Sequence, residues 1–303
     1  MKLLKTSLKI IFVVMLGAGA LSAEEAKRYD TIIGYSYDGI QISKSADARL
    51  AFELWVKEIA SKENLEMGVN YYNAPEEAFN GFMAHDFDLI TFNPFFYLRE
   101  HGKLQKVIQG YWAMQVTDSP YEKYLIIVRR DSGITSPAAL KNRRVATREN
   151  NYMGRLFLDR LLLESTRHGS DGYIKGIEAT EQYSTAVLRT YFKNVDAAIV
   201  PEYAYGLVKE MNPALQKELT VIAESPKIFP FVIIAAHAKM PMEMLQIYER
   251  NAYGLEKSER GRMILDLYKL KRVVRIPPSD LETLQKYYDE YTALKARYGG
   301  GHE

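Results

Sequence analysis

The chain has 303 residues, no cysteine, a formal net charge of +2 and 26% charged residues. The absence of cysteine excludes a disulfide scaffold and a lipid-modified N-terminal Cys, and the balanced charge argues against a nucleic-acid surface or a disordered tail. Once a leader is removed, roughly 280 residues remain, more than one hydrophobic core usually serves, so two lobes are expected.

Lys2 and Lys5, the apolar run 10–16 and the small residues at 17–20 and at Ser22-Ala23 follow the order of a secretory signal peptide, cleaved after Ala23 or after Ala20. The apolar part is shorter than the ~20 residues of a membrane span, so no stable membrane insertion is expected after cleavage. Residues 31–37 alternate as a strand, and Tyr37-Asp38-Gly39 closes it as a turn. Ala48, Ala51, Phe52, Trp55, Val56 and Ile59 then form one helical stripe, with Arg49, Glu53 and Lys57 on the wet face. Residues 67–72 read as a strand, and Pro75 opens a helix whose Ala78, Phe79, Phe82 and Met83 point inward. A third strand at 87–92 carries Asp88 inside an apolar run and ends at Asn93-Pro94, an N-cap followed by proline at the first helical position. With further strands at 107–114 and 124–128, the alternation predicts an α/β fold with parallel strands.

Residues 134–140 form a capped turn and 145–147 a short buried strand. Glu149-Asn150-Asn151 breaks it, and Met153, Leu156, Phe157 and Leu161 recur at helical spacing. A loop that opens directly into a helix presents unpaired N–H groups and the positive end of the helix dipole. Asn150, Asn151 and Tyr152 are therefore a candidate oxyanion seat; the alternative is a plain turn with Asn as cap. Strands follow at 176–179 and 195–200 with a helix at 183–193 between them, then a helix at 202–210 and strands at 219–223 and 231–236. From Met240 onward the pattern is mainly helical, interrupted at 273–276, and Ser279 with Glu282 forms a capping box for a last helix ending at Tyr298.

Three stretches in this order resemble the periplasmic phosphate/phosphite/phosphonate-binding proteins of ABC transporters. They are Phe87-Asp88-Leu89-Ile90 with Asn93-Pro94 and Tyr97; 124–128 with Asp131-Ser132-Gly133-Ile134 and Leu140-Lys141; and Val195-Asp196-Ala197-Ala198. The resemblance covers nearly the whole mature chain. It implies the α/β fold of type II periplasmic binding proteins: two α/β lobes joined by a two-strand hinge, with the ligand in the cleft between them. The implied division is a signal peptide at 1–23, lobe 1 at 24–122, lobe 2 at 123–225, and a return to lobe 1 with C-terminal helices at 226–303.

Members of that family hold the oxyanion on a Ser-Thr-Ser-Gly-like run at a helix start in the second lobe. Asn150, Asn151, Tyr152 and Gly154 match that run here, and Tyr183 matches a position that is often His in the family. The cleft thus gains two rings and loses three compact donors. An organic anion or phosphonate-like compound is expected rather than bare phosphate.

Tyr37 and Asp38 follow the first strand, Asn93 and Tyr97 the third, and Glu202 and Tyr203 a strand of the second lobe. All lie outside carboxyl ends of strands, where α/β sheets bind ligands; capping and turn roles are the alternative. No cofactor, metal or catalysis is expected: His85, His101, His168, His237 and His302 lack metal-ligand spacing, and no Gly-x-Ser-x-Gly or Cys nucleophile exists. The reading is a monomeric periplasmic protein that captures a small anionic ligand by hinge closure and presents it to an ABC permease, or alternatively to a membrane sensor kinase. No nucleic-acid partner is expected.

Overall fold

The computed structural model describes residues 31–36 and 46–299. The expected signal peptide and the candidate residues Tyr37 and Asp38 lie outside these. In chain order the elements are β1 (Thr31–Ser36), α1 (Ala46–Lys62), β2 (Met67–Tyr72), α2 (Pro75–Ala84), β3 (Leu89–Phe92), α3 (Pro94–Leu104), β4 (Ile108–Gln115), β5 (Tyr121–Glu122) and β6 (Tyr124–Arg129). They continue as β7 (Arg144–Arg148), α4 (Tyr152–Thr166), β8 (Gly176–Thr180), α5 (Tyr183–Tyr191), β9 (Ala197–Pro201), α6 (Glu202–Met211), α7 (Ala214–Glu218) and β10 (Leu219–Glu224). The last are β11 (Phe229–Pro230), β12 (Ile233–His237), α8 (Met242–Ala252), α9 (Glu259–Leu267), β13 (Arg272–Arg275) and α10 (Pro278–Tyr298).

The strands β3 and β9 are buried along their whole length, all four residues of the one and all five of the other. Such strands need helices above and below them. Two sheets result, one ordered β13-β4-β12-β3-β1-β2 and the other β10-β6-β9-β7-β8. Between them runs a two-stranded ribbon in which β5 pairs antiparallel with β11, Glu122 opposite Phe229 and Tyr121 opposite Pro230. The chain leaves the first sheet through β5 and re-enters it through β11.

The expectation of parallel strands holds only in part. β1 is parallel to β2 and β3, and β7 to β8 and β9, because each pair is linked through a helix. β12 runs antiparallel to β3 and β4, β13 to β4, and β6 to β9 and β10. A parallel neighbour requires a crossover of a dozen or more residues, whereas β6 and β12 are entered directly from the ribbon.

Three apolar clusters fill the layers. One joins α1, α8 and α9 to the first sheet, and another joins α5, α6 and α7 to the second. The largest holds α2, α3, α4 and α10 together and is continuous between the two sheets. α10 straps α4: Arg160 donates to the Tyr287 carbonyl at 2.8 Å and to Glu290 at 2.8 Å, and its guanidinium lies 3.9 Å from the centre of the Tyr287 ring. Buried Asp159 accepts from the Tyr291 hydroxyl at 2.9 Å and from Ser170.

The expected capping box of the last helix is not formed. Pro277 occupies the N-cap position with no side-chain cap and Pro278 opens the helix, so Ser279 falls within the first turn and donates to its neighbour Asp280. Proline's fixed φ presets the first helical residue and moves the helix start ahead of Ser279.

Candidate functional site

β3 is buried throughout and delivers Asn93 to the carboxyl edge of the first sheet. Asn93 caps α3 by accepting the Phe96 N–H at 2.7 Å, with Pro94 in the first turn where its missing N–H costs nothing. On the second sheet, β7 ends in the turn that leads to Asn151. The Asn151 side chain is fully committed to the scaffold: it accepts the Gly154 N–H at 3.1 Å and donates to the Thr147 hydroxyl at 2.8 Å, and Thr147 donates in turn to the Ile199 carbonyl at 2.6 Å. Gly154 permits this, since a Cβ there would stand 2.2 Å from the Asn151 amide nitrogen. α5 starts at Tyr183, beyond β8.

These starts converge on a small cavity, of about 20 Å³, lined by Asn93, Pro94, Glu122, Tyr124, Asn151, Tyr152, Met153, Tyr183, Pro230 and Phe231. It lies where the carboxyl ends of β3 and β7 meet the β5–β11 ribbon. Phe95 of α3 stacks on Tyr152 of α4 with centroids 5.8 Å apart and planes 17° apart, and Tyr288 of α10 meets Phe95 edge-on at 6.2 Å.

None of the lining residues is Lys, Arg or His. Burial pushes the phenols of Tyr124, Tyr183 and Tyr203 above their usual range, so they remain neutral donors at any physiological pH. Burial also pushes the Glu122 carboxyl up to about 8, opposed only weakly by Lys227. Arg148, at the end of β7, places its guanidinium 5.8 Å from the centre of the Tyr183 ring.

Of the residues singled out from the sequence, Asn93, Asn151, Tyr152 and Tyr183 line the cavity together. Tyr203 is within electrostatic reach of Glu122 and Tyr183, which add to the effect of burial in raising its pKa. Asn150 sits in the preceding turn and is not a lining residue. Tyr97 is turned into the core, its ring edge-on to Tyr111 and its hydroxyl 3.4 Å from that of Tyr111. Glu202 is exposed and paired with Lys123 at 3.1 Å. Sequence reasoning missed Glu122, Tyr124, Phe95 and Phe231. The available signal was the junction itself: the expected lobe boundary falls at Glu122, and both chain crossings bring residues to the cleft.

A two-sheet α/β body with this ribbon and a cavity at the crossing is the type II periplasmic binding fold. Among solved structures, XAC2383 of Xanthomonas citri bound to chloride superposes with a TM-score of 0.65 at 11% identity, covering 88% of this chain and 99% of that one. PhnD1 of Prochlorococcus marinus in complex with methylphosphonate gives 0.61 at 17% identity, covering 86% and 98%. A binding-protein component of an ABC phosphonate transporter from Pseudomonas aeruginosa gives 0.61 at 12%, covering 90% of each chain. At these identities the likeness establishes the fold. No curated protein matches the sequence significantly. Residues 43–281 match the family described as ABC transporter, phosphonate, periplasmic substrate-binding protein, and the chain belongs to that family.

Proposed function

We propose that this protein binds a small organic oxyanion of the phosphonate type in the cavity between its two sheets and delivers it to an ABC permease by closure of the cleft. The observation that carries the reading is the convergence of three helix starts, those of α3, α4 and α5, on one cavity at the crossing of the two bodies. Helix starts favour anions through their N–H groups and dipoles. The methylphosphonate held by PhnD1 of P. marinus, a fold neighbour, supports the same ligand class.

The proposed lobes are 24–122 with 226–303, and 123–225, consistent with the strand membership of the two sheets. Asn93, Tyr152, Tyr183 and Tyr203 are the proposed ligand contacts, and Asn151 acts by fixing the α4 start. Rings in the wall suit a ligand with an apolar substituent better than bare phosphate. A ligand that bridges both bodies stabilises the closed state by its differential affinity, and the permease reads that state. Residues 1–23 direct the chain to the periplasm, and no chemical turnover is involved.

A thermal-shift screen over methylphosphonate, ethylphosphonate, phosphite, phosphate, methanesulfonate and acetate tests this. A ligand at 100 times its Kd stabilises by about 2.7 kcal/mol. An alkylphosphonate is expected to give the largest shift; silence with every oxyanion, or the largest shift with bare phosphate, contradicts the reading.

A further inference from the structure

Glu122 is the acid in the cavity wall, and it is set there in an unusual way. It lies on the β5–β11 ribbon, only 7% exposed, and its Oε1 has no hydrogen-bond partner in the protein. A buried, unpartnered carboxyl oxygen is costly unless something met at the site satisfies it. Three phenols surround the group, Tyr124 of β6, Tyr183 of α5 and Tyr203 of α6, and each feels its charge. The basic group that reaches it is Lys227, ahead of β11, and its influence is weaker than that of burial. Arg148 acts on Tyr183 and Tyr203, and the adjacent Lys123 is engaged by Glu202 at 3.1 Å and Glu224 at 2.6 Å.

A carboxylate in this wall would repel an oxyanion brought in by the helix starts. A neutral carboxylic acid reverses the sign of the interaction, because it carries an O–H donor. An apolar site that keeps an acid protonated at neutral pH so that it can hydrogen-bond a developing oxyanion is an established device in ketosteroid isomerase. We propose that Glu122 is a specificity-determining ligand contact of this cleft, entering it as the neutral acid and donating its proton in a hydrogen bond to an oxygen of the bound oxyanion. The inference rests on the oxyanion reading above and assigns to that site a residue and a protonation state. No bond to the proton is broken. Binding therefore favours the protonated protein, and affinity falls once Glu122 ionises in the free state, near pH 8.

The experiment is a calorimetric titration of methylphosphonate into the wild-type protein, Glu122→Gln and Glu122→Ala between pH 6 and 9.5. Glutamine keeps a neutral donor at the same place; alanine removes it. The ionisation of methylphosphonate itself is common to all three proteins and cancels in the ratio of their affinities. Glu122→Gln is expected to bind within a few-fold of wild type at pH 7, and Glu122→Ala about ten- to hundredfold more weakly. Relative to Glu122→Gln, wild-type affinity should fall about tenfold from pH 7 to pH 9. Equal loss in both variants, or a pH-independent ratio, overturns the inference while leaving the oxyanion reading standing. So does an aminoalkyl ligand that binds wild type more tightly as pH rises and loses that affinity in Glu122→Gln, since Glu122 would then act as a carboxylate toward a cation. Failure of wild type to bind methylphosphonate or any other oxyanion removes the underlying reading as well.

Discussion

The rings of Phe95 and Tyr152 stack at 5.8 Å and 17° across the cleft, one in the first turn of α3 and the other opening α4. This contact ties the entrance of one helix to the entrance of the other, and Tyr152 also lines the cavity. It links the cavity wall to the relative placement of the two bodies. An aromatic pair contributes about 0.5–1.5 kcal/mol beyond its buried area. In a double-mutant cycle with Phe95→Leu and Tyr152→Leu, the coupling measured on ligand affinity is expected in that range. A cycle that closes with no coupling would mean the stack does not participate in closure.

Asn151→Ala should lower the stability of the ligand-free protein. The side chain caps α4 and holds Thr147, and it is 2% exposed. Loss of a cap costs about 1 kcal/mol, and the Thr147 hydroxyl loses a partner besides. Urea melts of the apo protein check this. A variant with unchanged midpoint but weaker ligand binding would give Asn151 a direct ligand role in place of a structural one.

The Glu122 carboxyl has a second consequence, seen without ligand. Its pKa is raised from 4.5 to about 8 by burial, so the folded state binds the proton more tightly than the unfolded chain does. Its favourable contribution is complete below about pH 4.5 and is lost as pH rises to about 8, at up to about 1.4 kcal/mol per pH unit. Against Glu122→Gln, wild-type stability should therefore decline through this window and run parallel above it. Denaturant melts at pH 5, 6.5 and 8 measure the difference, and parallel curves throughout would show that the group titrates normally.

The strap of α10 on α4 makes the opposite pH prediction. Burial raises the Asp159 pKa, but the Ser170 hydroxyl and N–H, the Tyr291 hydroxyl and Lys295 outweigh it and hold the carboxyl below its usual range. Its contribution is present above the ordinary carboxylate pKa of about 3.9 and disappears as pH falls through the lower folded value. Asp159→Asn should cost about 1–3 kcal/mol at pH 7 and much less at pH 2–3. A penalty of equal size at both pH values would assign the loss to packing alone.

Arg160 serves the same strap through shape. Its planar guanidinium reaches the Tyr287 carbonyl, Glu290 and Glu164 while covering the Tyr287 ring. Lysine cannot reproduce that fork. Arg160→Lys should thus destabilise nearly as much as Arg160→Ala, by about 1–2 kcal/mol. Full rescue by lysine would reduce the interaction to simple charge.

What the sequence revealed and what it hid follow from the range of the signals. Asn93-Pro94 and Asn151 were legible because a cap is a local event, decided within four residues. The β3 and β9 strands were legible because their apolar runs are long enough to show a pattern. Glu122, Pro230 and Phe231 belong to or adjoin two-residue strands, too short for any periodicity, and their meeting depends on pairing between distant segments. The same reason hid the antiparallel entry of β6 and β12. Tyr97 misled because it shares a helix with the Asn93 cap, yet its position in the turn directs it into the core, against Tyr111.

The central claim is that an oxyanion occupies the cavity and holds the two bodies closed. The chain contains no cysteine, so spin labels can be placed cleanly on cysteines introduced at the exposed positions Asn80, in α2, and Glu181, ahead of α5. Distance distributions from pulsed electron resonance, recorded with and without saturating methylphosphonate, read closure directly. The account predicts that the ligand collects a broader distribution into one short-distance population, and that Glu122→Ala requires about ten- to hundredfold more ligand to reach it. A distribution that is identical with and without methylphosphonate, ethylphosphonate or phosphite would contradict it.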